Sequence, residues 1–188
     1  MIVSIHQPNL FPYYPFFQKM EESDLFVILT HCQFEKNNFQ NRFKKDDKWH
    51  TMSVNKGLEP ILHKRYVSHE NDWYKIKASL PEYSKVLSMF DNCISDSLHD
   101  TNINIIHRIR NILQIRTKII LDYQTDLKST DRLIDICKTN NASEYFSGVS
   151  GSKYLDLTKF QDAGIKVLFQ DESKMIKSPI INILKERL

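Results

Sequence analysis

The chain has 188 residues, 41% of them hydrophobic and 26% charged, with a formal net charge of +3. That length and apolar fraction fit one globular domain with a substantial core, to which eleven Phe and eight Tyr lend bulk. A charge this small and scattered argues against a nucleic-acid partner or a membrane surface, and no apolar run approaches the ~20 residues that span a bilayer. Cys32, Cys93 and Cys137 are too few and too widely spaced for a disulfide framework or a paired CxxC metal knuckle. Reduced thiols in a cytoplasmic protein are the expectation, and the N-terminus lacks the basic-then-apolar pattern of a signal peptide.

Met1 to Ile5 reads as a short apolar strand. Pro12 and Pro15 bracket a turn, and Phe16, Phe17 and Met20 give helical spacing closed by Glu21-Glu22-Ser23-Asp24. Leu25 to Leu29 is a continuous apolar run of strand length, which suits a strand covered on both faces. Gln33 to Lys48 is polar and asparagine-rich and reads as a long loop or a turn of helix, with Trp49 to Val54 a further strand. Asn71-Asp72 offers an N-cap to a helix carrying Trp73, Ile76 and Leu80, interrupted by Pro81. Tyr83 to Phe90 and Ile103 to Leu113 continue at helical spacing. Lys118 to Leu121 is then a strand, Ser129 caps a helix, and Glu144 to Phe146 is a strand. Tyr154 to Asp162 is a helix ended at Gly164, and Ile165 to Phe169 is a strand. This βαβαβ alternation predicts an α/β fold: a three-layer, mostly parallel, Rossmann-like sheet in a single domain over 1–188, with a central helical insertion at about residues 70–115.

Three segments carry candidate chemistry. In Ser4-Ile5-His6-Gln7-Pro8-Asn9, a His, a Gln and an Asn lie at the carboxyl end of the first strand, where open parallel sheets bind ligands. His6 is the candidate catalytic group, able to move protons or contact phosphate, and Gln7 and Asn9 could orient a polar substrate. A turn that ties down its own backbone is the alternative. In Gln33 to Arg42, Gln33 and Asn41 offer amides while Lys36 and Arg42 could neutralise phosphate or carboxylate. A polar loop satisfying itself is equally compatible. The third segment, Ser147-Gly148-Val149-Ser150-Gly151-Ser152, joins a strand to a helix and could present backbone N–H groups to an anion, with Ser147, Gly148 and Gly151 as contacts. It matches neither a Walker loop nor GxGxxG, and a plain βα turn is the alternative. HExxH, GxSxG and EF-hand patterns are absent, so the residues name no metal ligand set, and the sequence does not identify a cofactor. His31 and Cys32 are adjacent, so on a strand they face opposite sides and form no dyad.

Taken together, these segments resemble the WbqC-like protein family. The resemblance rests on Ile5-His6-Gln7-Pro8-Asn9-Leu10-Phe11-Pro12, Phe16-Phe17-Gln18-Lys19, Ser23-Asp24-Leu25-Phe26-Val27, Gln33-Phe34-Glu35-Lys36 and Gln40-Asn41-Arg42. Arg132-Leu133-Ile134, Tyr145-Phe146-Ser147-Gly148, Tyr154-Leu155-Asp156 and Gly164-Ile165-Lys166-Val167 extend it to about residue 170. It implies a role in O-antigen and other surface-polysaccharide biosynthesis, and an acyl or aminoacyl transferase or ligase acting on a nucleotide-linked amino sugar. The alternative is a non-catalytic protein of the same pathway that binds a sugar nucleotide or a partner enzyme. The small-molecule partner expected on either reading is a sugar nucleotide or other anionic ligand. Members commonly carry acidic residues where this chain has Thr30 and His31, Gly where it has Pro15, and Trp where it has Tyr13. The opening segments are also similar to the start of pantothenate synthetase and its nucleotidyltransferase relatives, but Asn9 stands where their HxGH signature needs its second His.

Overall fold

The computed structural model describes residues 1–187. Its described residues divide into two compact units. The first contains 1–6, 15–31 and 115–176, and the second contains 7–14, 32–114 and the described residues from 177 on.

The first unit is built on a five-stranded sheet of β1 (Ile2–His6), β2 (Leu25–Ile28), β5 (Lys118–Leu121), β6 (Glu144–Ser147) and β7 (Lys166–Phe169). The spatial order is β5-β2-β1-β6-β7, and every pairing is parallel. Chain order therefore runs outward from β1 to one edge and then returns to build the other side from β6. This is the reversal that defines a topological switch point in Rossmann-like sheets.

Side-chain alternation divides the faces. Val3, Ile5, Leu25, Val27 and Tyr145 are buried in one core with Leu133, Ile134, Ile136 and Cys137 of α5 (Ser129–Thr139) and with Phe160 of α6 (Leu157–Asp162). Phe26 faces the other side, where its ring meets Phe16 of α1 (Tyr14–Glu21) at 5.0 Å between centroids. Helices thus cover both faces, as the unbroken apolar run of β2 requires. Ser129 was expected to cap α5, but it begins the helix with φ 51, and no side-chain capping bond forms at Lys128. The helix expected from Tyr154 starts only at Leu157. A 3-10 turn at Val149–Lys153 comes first, and the Asp156 side chain then accepts the Lys159 N–H as the true cap. Gly164 closes α6 with φ 70, the left-handed position that glycine takes without strain.

The second unit holds β3 (Arg42–Lys45), β4 (Lys48–Thr51), α2 (His69–Ser79), α3 (Ser84–Ser88), α4 (Leu98–Ile112) and α7 (Ile180–Glu186). The polar segment read as a loop to Lys48 ends in an antiparallel hairpin, β3–β4. Its turn residues Asp46 and Asp47 have φ 48 and 60, matching the twist of a tight two-residue hairpin. Helix α2 starts at His69, with Ser68 rather than Asn71-Asp72 at its cap position. Helix α4 begins five residues before Ile103, because Ser97 accepts the Asp100 N–H and starts the helix there. Phe11 lies at the centre of this unit's core, with Phe43, Phe90 and Trp73 at centroid distances of 5.1, 5.0 and 5.8 Å.

Candidate functional site

In the first unit the candidate site is the carboxyl edge of the sheet. Pairing between β1 and β6 stops at Ser4–Phe146, whereas β1 and β2 remain paired to His6–Ile28. The strands therefore part at the switch point, and His6 and Gly148 leave the sheet on the same edge, as the parallel topology predicted. His6 is half-buried, its ring edge-on to Phe16 at 4.9 Å. Ser147 is buried, and its hydroxyl donates to the Gly148 carbonyl at 3.2 Å.

The two glycines of this loop differ. A Cβ on Gly151 would come 2.0 Å from Ser147 Oγ, so the close approach of the 3-10 turn to β6 demands glycine there. A Cβ on Gly148 would meet only Gln170 Oε1, at 3.7 Å. A side chain at Gly148 would therefore make only ordinary contact, while Gly151 is accounted for by packing. The six-residue α6 provides no anion-binding N-terminus beside this loop, because the Asp156 carboxylate already occupies its first turn.

Two further strands end on the same edge. Thr30 and His31 follow β2, and Asp122 follows β5. The Asp122 side chain is fully buried and accepts the Thr30 N–H at 2.7 Å, the Thr30 hydroxyl at 2.9 Å and the His31 N–H at 3.2 Å. His31 Nδ1 lies 3.1 Å from the same oxygen, and the Arg132 guanidinium pairs with the other. Burial alone would raise the Asp122 pKa, but the donors from Thr30 and His31, aided by the Arg132 charge, outweigh it and hold the carboxyl below its ordinary range. Sequence reasoning missed Asp122 and His31 as a pair. The signal was present, since Asp122 directly follows one predicted parallel strand and His31 comes two residues after the end of another.

In the second unit the candidate polar residues largely serve their own loop. Gln7 Oε1 accepts from Gln40 Nε2 at 2.7 Å, and Gln40 Oε1 accepts the Glu35 N–H at 2.9 Å. Asn41 is buried and donates to the Met52 carbonyl at 2.8 Å. Arg42 donates to the carbonyls of Asn38 and Asn37, with its guanidinium 4.0 Å from the centre of the Trp49 ring. Its fork is thus engaged by the loop it was expected to arm. Lys36 is exposed and makes no ion pair among the described residues, Gln33 is exposed with its backbone bridged to Pro60, and Asn9 is half-buried. Asn102 of α4 is buried and donates to the carbonyls of Pro8 and Gln40 at 2.8 and 2.7 Å, so it fastens two of the sequence-predicted segments to each other.

Among the described residues, no three or more His, Cys, Asp or Glu gather as a metal site would require. No described helix is long and apolar enough to cross a membrane. Cys32 is half-buried, Cys93 and Cys137 are buried, and none of the three is in a disulfide among the described residues; burial pushes the Cys137 thiol up to about 12.

The chain is 27% identical over 188 residues to a curated protein described as uncharacterized protein Rv1507c, from Mycobacterium tuberculosis (strain ATCC 25618 / H37Rv). The match covers 90% of this chain and 81% of that relative. A zinc-bound AdcAII variant from Streptococcus pneumoniae aligns over 100% of this chain and 98% of its own at 14% identity, but its TM-score of 0.24 supports no argument. Residues 7–178 match the WbqC-like protein family, a span that takes in the Gln7–Asn9 segment, the Gln33–Arg42 segment, Asp122 and the Ser147–Gly151 turn. The chain belongs to the WbqC-like protein family.

Proposed function

We propose that this protein acts in surface-polysaccharide biosynthesis as an acyl or aminoacyl transferase or ligase whose substrate is a nucleotide-linked amino sugar. The observation that carries the reading is the switch point, where His6 and Gly148 leave adjacent parallel strands at the sheet's carboxyl edge. His6 is the proton-transferring or phosphate-contacting group, and the Ser147–Gly151 turn receives the anionic part of the ligand. General acid–base assistance of this kind is worth about 10²–10⁴-fold in rate.

The test is a panel of sugar nucleotides screened by thermal shift and then assayed for acyl transfer by mass spectrometry. A ligand at 100 times its Kd adds about 2.7 kcal/mol, a Tm rise of about 5–10 °C for a chain of this size. Loss of turnover in a folded His6→Ala variant supports the role of His6. Full activity in that variant removes His6 from the mechanism, and no shift with any sugar nucleotide removes the substrate class.

A second reading, a non-catalytic binder of a sugar nucleotide or of a partner enzyme, draws support from one observation. Gln7, Asn41 and Arg42 spend their hydrogen bonds on the protein itself. On that reading ligands shift the melting temperature and none is turned over.

A further inference from the structure

Asp122 Oδ1 is already served by three donors from Thr30 and the His31 backbone before the imidazole of His31 is counted. Arg132, in the first turn of α5, supplies the other oxygen and also donates to the Tyr123 carbonyl at 3.3 Å. The buried carboxylate is therefore satisfied without the ring, so satisfying Asp122 does not by itself explain His31. An ionised carboxylate can only accept, which fixes the proton on His31 Nδ1, 3.1 Å away. In the neutral ring the lone pair then lies on Nε2. It has no hydrogen-bond partner among the described residues and is reached by solvent, since the His31 side chain is 25% exposed. A carboxylate that fixes the tautomer and steadies the imidazolium is the arrangement by which a histidine becomes an effective base.

We propose that His31 is the catalytic base, with Asp122 as its positioning residue and His6 keeping the phosphate-contacting role, and that His31 accepts the proton of an amine or hydroxyl nucleophile during acyl transfer. The substrate class rests on the function proposed above. In the step, the nucleophile's nitrogen or oxygen forms a bond to the carbonyl carbon of an activated acyl ester as its proton passes to Nε2. The bond from that carbon to the leaving oxygen breaks with its electron pair, and the imidazolium returns the proton to that oxygen. The ring ends neutral with its original tautomer.

Two measurements test the base without any sugar nucleotide. Diethyl pyrocarbonate acylates the free lone pair of neutral imidazole, and peptide mass spectrometry gives the rate at each histidine. His31 is expected to react at least fivefold faster than the exposed His63, and Asp122→Asn to cut that rate fivefold or more. Long-range ¹⁵N–¹H correlation on the unmodified protein is expected to show the Nδ1–H tautomer at His31, a signature that Asp122→Asn abolishes. His31 reacting no faster than His63, or carrying its proton on Nε2, overturns the proposal even if the Asp122 variant does not fold. A reactive, Nδ1-protonated His31 with no sugar-nucleotide turnover leaves the base in place and removes the proposed substrate class alone.

Discussion

Lys19 of α1 is 3% exposed, and among the described residues no carboxylate pairs with it. Its ammonium meets only the Ile5 carbonyl at 3.1 Å and the Phe26 ring, 5.7 Å to the centroid. Burial therefore depresses its pKa from 10.5 to about 7. The unfolded chain keeps the proton up to pH 10.5 and the folded chain releases it above about 7. Between those values the unfolded state binds more protons, so stability rises with pH, and below about 7 the full penalty is in force. At about 1.4 kcal/mol per pH unit the interval corresponds to about 5 kcal/mol, a ceiling because the carbonyl and the ring favour the charged form. Lys19→Met removes the charge at similar volume and forgoes one hydrogen bond, about 1 kcal/mol. The variant is expected to be more stable than wild type by about 3–4 kcal/mol at pH 6, with the gap closing from pH 7 toward 10 and a small deficit at higher pH. Urea denaturation at pH 6, 7, 8, 9 and 10, compared by linear extrapolation, measures it. A gap that does not change with pH would show that Lys19 is solvated in the folded state and would refute the reasoning.

Three further outcomes are expected. Asp122→Asn leaves Arg132 buried opposite a neutral partner and costs about 3–5 kcal/mol by chemical denaturation at pH 7. Because the folded Asp122 pKa is depressed, its contribution is present above about pH 4 and lost below it, so the gap to wild type narrows as the pH falls toward 2. Gly151→Ala forces a Cβ against Ser147 and costs about 1–3 kcal/mol, whereas Gly148→Ala leaves the melting temperature within about 2 °C of wild type. Asn102→Ala removes the donor shared by Pro8 and Gln40, costs about 2–3 kcal/mol, and speeds amide exchange across 33–42. Unchanged exchange there would show that the segment is held without Asn102.

Much of the fold was legible from local pattern alone. The unbroken run Leu25–Ile28 declared a strand covered on both faces, because such burial writes itself directly into composition, and the runs at 118–121 and 166–169 were legible as strands although they form the half-exposed edges of the sheet. Parallel topology then placed the ends of β1 and β6 on one edge, so the neighbourhood of His6 and Gly148 was legible before any coordinates. The β3–β4 hairpin was less so, because its Asp46-Asp47 turn depends on a left-handed backbone that Asp adopts only in context. Side-chain roles required tertiary structure. Whether Arg42 faces a ligand or its own loop depends on where the Asn37 and Asn38 carbonyls come to lie. Gly151 is glycine because of Ser147, a packing contact that no spacing rule encodes. Asp122 and His31 are 91 residues apart and meet only because β5 docks beside β2 in register. Sequence fixes which residues end a strand, but which strands become neighbours is decided by the packing of the whole sheet, and with it which carboxylate meets which imidazole.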